Sequence, residues 1–263
     1  QTVTQYFFTV PAQDLDVALH LEAIRMRGVL DEQAAWERER PAIEQEVAQD
    51  LSNPQYLMYT DLLAAAFKGT PYAHDALGTR DSFGRTTGAM LEKFHRGWYA
   101  PNNAVLVVVG DLDPGATLAR IKRLFGAVPR KPLPLRPGIR LQPVAAQTLR
   151  RDTDQAYGRA VIAFRMPGYR LPDFDAAHVL AAALASQRGK LYGLVLGGKA
   201  LGTDFSLNFL PETGLAYASA AFPRGGDGDR LLAELRETLA EVAAHGVPAD
   251  LVARSSSSAT STA

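Results

Sequence analysis

At 263 residues the chain is long enough for two domains of ordinary size, and 47% hydrophobic with 21% charged residues is a globular composition. The 28 basic and 28 acidic residues cancel, which argues against nucleic acid as the main partner, and no apolar run is long enough to span a membrane. With no cysteine, disulfides, thiolate metal sites and a cysteine nucleophile are excluded.

The chain opens in mid-pattern at QTVTQYFFTV, without Met or a signal sequence, and is expected to follow an N-terminal segment that this sequence does not include. TQYFFTVP alternates and carries aromatics, which predicts a strand closed by Pro11. LDVALHLEAIRMRGVL places Leu15, Ala18, Leu19, Leu21, Ile24 and Met26 at helical spacing, with Gly28 as the stop. Asp31 is placed to cap a second helix from about 32 to 51, within which Pro41 costs a hydrogen bond. QYLMYTDLLAAAF and GAMLEKFHRGWY read as helices, separated by the loop KGTPYAHDALG. The Val-rich run NAVLVVVGDL, residues 103–112, suits a buried strand, and DPGATLARIKRLFGAV follows as a capped helix.

Five prolines in PRKPLPLRPGIRLQP mark a semi-extended linker, bounded at 129–145. Beyond it the order of elements partly repeats. There is a strand at YGRAVIAFRMPG, helices at DFDAAHVLAAALAS and GKLYGLVLGG, and a hairpin pair at DFSLNFL and GLAYASAAF. A helix at GDRLLAELRETLAEVAAHG comes last. The expected fold class is α+β: two related α/β domains, each a mostly antiparallel sheet packed with helices, at residues 1–128 and 146–254. Residues 255–263, SSSSATSTA, are low in complexity and read as a tail.

The five histidines, at 20, 74, 95, 178 and 245, include no pair three or four apart, so no helical zinc pair is present. Serine-nucleophile and phosphate-loop signatures are absent as well. The one concentration of carboxylates is WERERPAIEQEV, residues 36–47. On a helix, Glu39, Ile43 and Glu46 fall on one face, with Trp36 and Ile43 facing a core and Glu37 and Glu44 free to be solvated. Carboxylates on a buried side are costly unless paired or bound to a cation. Periodicity alone leaves both a metal or catalytic role and a salt-bridged surface open.

YFFTVP, LEAIRMRGVL and RERPAIEQEV, followed by GTPYAHDALG and WYAPNNAVLVVVGDLDP, resemble the M16 metallopeptidases, the group of pitrilysin, insulin-degrading enzyme and the mitochondrial processing peptidase. The likeness extends more loosely through RGKLYGLVLGGKALG. What the resemblance implies is an inverted zincin with the processing-peptidase-like architecture. A helix carries His-x-x-Glu-His, and a distal glutamate completes a zinc site whose bound water attacks the peptide carbonyl. On this chain the distal ligand corresponds to Glu46, and Glu39 to an acidic position that supports the site, orienting a ligand. The implied cofactor is Zn2+.

Two departures bear on function. The His-x-x-Glu-His segment would lie upstream of Gln1, so this chain carries one zinc ligand of three, no general base and no catalytic residue of its own. The family's Arg and Tyr from the opposing half correspond here to Leu196 and Thr203, which cannot donate as those do. The resemblance therefore implies the zinc-bearing half of a clamshell. A second half or subunit supplies Arg and Tyr, a peptide is the substrate, and nucleic acid and membrane are not partners. The alternative is a non-catalytic partner or scaffold of the same family. The Ala- and Arg-rich composition suggests a bacterial source, in periplasm or cytoplasm.

Overall fold

The computed structural model describes residues 3–29 and 32–260, the side chains of 256–260 excepted. In chain order the main elements are α1 (Leu15–Arg27), α2 (Gln33–Leu51), α3 (Pro54–Ala66), α4 (Arg80–Gly84), α5 (Gly88–Trp98) and α6 (Pro114–Phe125). They are followed by β1 (Tyr157–Pro167), α7 (Phe174–Ala185), α8 (Gly193–Leu196), β2 (Gly202–Phe209), β3 (Thr213–Pro223), α9 (Gly228–His245) and α10 (Ala249–Thr260). The chain divides into two units: residues 3–53 with 76–138, and residues 54–75 with 139–260.

The first unit is built of helices with clear local causes. α1 stops at Gly28, whose N–H bonds to the Ile24 carbonyl at 2.8 Å. Thr79 and Ser82 form a reciprocal capping box on α4, and Thr87 caps α5 through the Met90 N–H. Asp113 caps α6 by accepting from the Ala116 N–H, with Pro114 in the first turn, where its missing donor is not needed. The Asp31 cap of the sequence reading falls outside the described residues; the residue preceding α2 is Glu32, in extended conformation.

The strands expected at TQYFFTVP and NAVLVVVGDL do not form as sheet. Residues 3–10 and 104–109 have no ladder partner among the described residues, and the run expected to be buried is open to solvent, Val105 and Val109 each being 89% exposed. An extended segment becomes a strand only when a neighbour takes up its backbone donors and acceptors. The sheet found among the described residues lies in the second unit.

That sheet has the order β1-β3-β2, antiparallel throughout, with Ala218 of β3 opposite Ile162 on one side and Phe205 on the other. Side chains alternate, so β3 sends Ala216, Ala218 and Ala220 to one face and Leu215 and Tyr217 to the other. The alanine face is fully buried beneath Leu184 of α7 and Leu231 and Leu235 of α9. Small side chains there let the helices lie close to the backbone. On the opposite face Leu215 packs with Leu63, Phe67 and Tyr72, so α3 and the turn at Pro71–Ala73 belong to this unit.

Arg165 of β1 ties these parts together. Its guanidinium donates to the Ala66 carbonyl and, at 2.7 Å, to the Gln142 carbonyl, and it lies over the Phe67 ring. Gly168 is fixed by crowding, since a Cβ there would strike the Leu210–Thr213 backbone. α9 starts at the Asp227 cap and ends at Gly246, whose φ of 73° is left-handed. The serine run expected as a tail is helical through Thr260 as part of α10, with Ser255 buried.

Candidate functional site

The candidate site is the outer face of α2, in the first unit. Trp36 is the buried residue of this helix: its Nε1–H donates to the Thr86 carbonyl at 3.0 Å and its ring meets Phe83 edge-on at 5.5 Å. Gln33 reaches the same loop, accepting from the Gly88 N–H at 2.9 Å and donating to Glu37 at 2.9 Å. Arg40 pairs with Glu44 at 2.8 Å and sits 6.0 Å above the Phe83 ring. Trp36, Gln33 and Arg40 thus fix the rotation of α2, which runs unbroken through Pro41.

That rotation sets where the carboxylates point. Glu39 and Glu46 share one face, as their spacing of seven requires. The face is not the buried one. Both side chains are exposed, and Ile43 is only half-buried, which corrects the expectation of a carboxylate pair on the core side. The physical reason lies in the helix itself: its hold on the core is concentrated at Trp36, and Glu39 lies about 60° round the helix from it. Among the described residues neither Glu39 nor Glu46 has a hydrogen-bond or ion-pair partner, whereas Glu37 and Glu44 are both engaged along the helix.

Among the described residues no three His, Cys, Asp or Glu stand together as a metal-binding group. A structural or catalytic zinc site takes at least three protein ligands. The carboxylates of α2 alone do not supply that set.

The remaining candidates have structural work. His95 bonds through Nε2 to the Arg25 carbonyl at 2.8 Å and stacks on Tyr99 at 4.4 Å. Tyr99 in turn bonds to the Tyr6 hydroxyl, and Arg25 lies 4.0 Å over the Tyr6 ring while pairing with Glu22. This cluster pins residues 3–10 to α1 and α5. His178 lies between Phe174 and Phe209 in the second unit. His20, His74 and His245 are exposed. Asn103 donates to the Trp98 carbonyl and accepts from Arg136, a turn role, and Tyr72 is a core residue packed on Phe67. Leu196 is exposed at the end of α8 and Thr203 is half-buried in β2. The sequence reading missed the anchoring parts of Gln33 and Arg40, whose partners lie as far as 55 residues away and leave no mark in local spacing.

No helix among the described residues is long and apolar enough to cross a membrane. The sequence profile of the peptidase M16 inactive domain matches residues 86–258, which begins downstream of Glu39 and Glu46. An uncharacterized zinc protease of Mycobacterium leprae is 28% identical over 260 residues, covering 93% of this chain and 56% of that protein. The chain therefore spans about half the length of such a relative. Its fold is shared with a protease from Helicobacter pylori, at a TM-score of 0.80 and 18% identity over 94% of this chain and 62% of that one. It is shared equally with a peptidase M16 inactive domain from Pseudomonas fluorescens, at a TM-score of 0.78 and 19% identity over 96% and 62%. With an α+β fold of this kind and the matched domain covering most of its length, the chain belongs to the M16 peptidase family.

Proposed function

We propose that this chain is part of the zinc-bearing half of an M16 endopeptidase, to which it contributes a single zinc ligand, Glu46. The observation that carries the reading is the pair Glu39 and Glu46 on one face of α2, both without partners among the described residues, while their neighbours Glu37 and Glu44 are paired. A carboxylate left open beside others that are engaged is suited to a ligand from outside the helix. In this reading the motif histidines and the general base come from polypeptide outside residues 1–263. Zinc bound there would activate water for attack on a peptide bond. Glu46 would hold one coordination position and Glu39 would accept a hydrogen bond from a neighbouring ligand, fixing its orientation. An opposing half or subunit would bring the Arg and Tyr for which this chain has Leu196 and Thr203. The enzyme would act on peptides in a bacterial periplasm or cytoplasm.

The second reading, a non-catalytic partner or scaffold, draws support from the matched domain's description as inactive and from the exposure of both carboxylates. Metal analysis of the protein produced from its complete reading frame separates the two. The peptidase reading expects about one zinc per chain, at least tenfold weaker binding in Glu46→Gln, and a smaller loss in Glu39→Gln. Zinc content that is nil, or that is unchanged in Glu46→Gln, overturns it and leaves the scaffold.

A further inference from the structure

The cancelled charge totals conceal a segregation. From Pro114 to Arg151 the chain carries nine cationic side chains and no carboxylate, so all 28 acidic residues lie elsewhere. Six of the nine belong to the first unit: Arg120, Lys122, Arg123, Arg130, Lys131 and Arg136. Arg120 pairs with Asp16 at 3.2 Å, and Lys122 and Arg123 stand in the last turn of α6, where the helix dipole favours positive charge. Neither cause applies to Arg130, Lys131 and Arg136. They lie on the proline-rich strap of residues 129–138, and none of the three meets a carboxylate among the described residues.

The strap forms no helix or strand and has no backbone–backbone hydrogen bond among the described residues, yet it is held in place. The Asn102 amide donates to the Lys131 carbonyl at 3.1 Å and accepts from the Lys131 N–H at 3.2 Å. Pro134 is seated on Gly97, where a Cβ would come within 3.3 Å of its ring. Arg136 donates to Asn103 at 3.0 Å and lies 5.8 Å over the Trp98 ring. Prolines at 129, 132, 134 and 137 stiffen what these contacts fix. One side of the strap is thus occupied by the first unit itself. The other side is open: Leu135 is 97% exposed, with Arg130 and Arg136 exposed on either side of it along the chain.

Charge and shape together select the partner. Three cations and no carboxylate on one short strap call for an anionic surface. A domain that takes proline-rich segments lays them in an aromatic-lined groove. Asn102, Gly97 and Trp98 already fill one side of this strap, which leaves a one-sided presentation suited to a flat surface rather than a groove. A leucine standing clear among cations fits the boundary between lipid headgroups and acyl chains, where the charges meet phosphates and the side chain leaves water. We propose that residues 129–138 dock the first unit on an anionic phospholipid surface. Leu135 enters the headgroup layer, while Arg130, Lys131 and the unused donors of Arg136 face lipid phosphates. This departs from the expectation of no membrane partner, because a surface anchor needs neither a spanning run nor a net charge on the whole chain. It holds whether or not zinc is bound.

Co-sedimentation of the complete protein with vesicles tests it, comparing phosphatidylcholine alone with a mixture containing phosphatidylglycerol. At low ionic strength the anionic vesicles are expected to bind at least about tenfold more tightly than the neutral ones, with the preference shrinking as salt is raised. Arg130→Glu combined with Lys131→Glu is expected to weaken binding at least about tenfold. Leu135→Ser is expected to weaken it about fivefold, an effect that salt leaves in place. Leu135→Trp should keep the binding and shift its emission to the blue on anionic vesicles, beyond any shift of the unmodified protein. Absence of binding to anionic vesicles overturns the proposal, as does binding that ignores the charge reversals or Leu135→Ser. Retention on immobilised polyglutamate without binding to vesicles also overturns it, and would make an acidic protein the partner. Should the charge-reversed protein fail to fold, the two Leu135 variants still decide. Vesicle binding by protein without zinc would sink the peptidase reading alone, and zinc in protein that ignores vesicles would sink this one alone.

Discussion

The two units differ more in what they bury than in what they are made of. Of the large apolar side chains exposed among the described residues, seventeen lie in the first unit and eight in the second. Buried apolar residues run the other way, four against twenty. The second unit has a sheet with helices on one face and α3 on the other, so the strand pattern of its sequence is used twice over. The first has the same kind of pattern and, among its described residues, no sheet to put it in. Amphipathic spacing is thus a demand for a partner, and only the second unit finds its partner within the described residues.

The contrast can be broken most strongly at Phe67. It is fully buried between Leu63, Tyr72 and the sheet, with the Arg165 guanidinium over its ring. Phe67→Ala is expected to cost about 3–5 kcal/mol, read as loss of protection across β1 and β3 in hydrogen exchange. A loss below about 1 kcal/mol would mean that α3 is not a structural part of the second unit. Trp36→Phe probes the first unit's main anchor. It keeps the ring against Phe83 and removes the donor to the Thr86 carbonyl, a loss of about 0.5–1.5 kcal/mol. Because Trp98 is then the remaining tryptophan and belongs to the same unit, its fluorescence during denaturation reports the effect without interference from the second unit. An unchanged transition would show that α2 is held by something other than Trp36.

Most helices were legible from the sequence because their causes are local. The cap at Asp113, the stop at Gly28 and the apolar spacing of α9 all act within a few residues. The hairpin β2–β3 was legible for the same reason. What local pattern does not carry is what an element packs against. The α3 helix was readable as a helix, but its place against Leu215, some 150 residues later, was not. TQYFFTVP and NAVLVVVGDL have strand-like composition but form no strand among the described residues, because pairing is a property of two segments and cannot be read from one. The candidate site divides along the same line. That Glu39 and Glu46 share a face follows from helical geometry, whereas their exposure depends on how Trp36 and Gln33 rotate the helix against residues fifty positions away.

The mildest test uses pH and touches the second unit alone. Burial holds the Tyr59 hydroxyl above its usual 10, with the nearby Tyr217 and Asp75 charges pushing the same way, and burial also raises Tyr72. A phenol whose folded pKa exceeds its unfolded value keeps its proton longer in the native state. Below pH 10 both states are protonated and the stabilisation is fully present. As the pH climbs past 10 the unfolded phenol ionises first, the unfolded state gains, and stability falls until the folded pKa is passed. The decline should therefore begin near pH 10 and be shallower in Tyr59→Phe, which cannot ionise. Lysines titrate over the same range, so the informative quantity is the difference between the two proteins' denaturation midpoints, followed by circular dichroism from pH 9 to 11.5. That difference should shift in favour of Tyr59→Phe as pH rises. A difference that stays flat would mean water reaches the Tyr59 hydroxyl, and that the α3 face of the sheet is less closed than its packing against Leu215 requires.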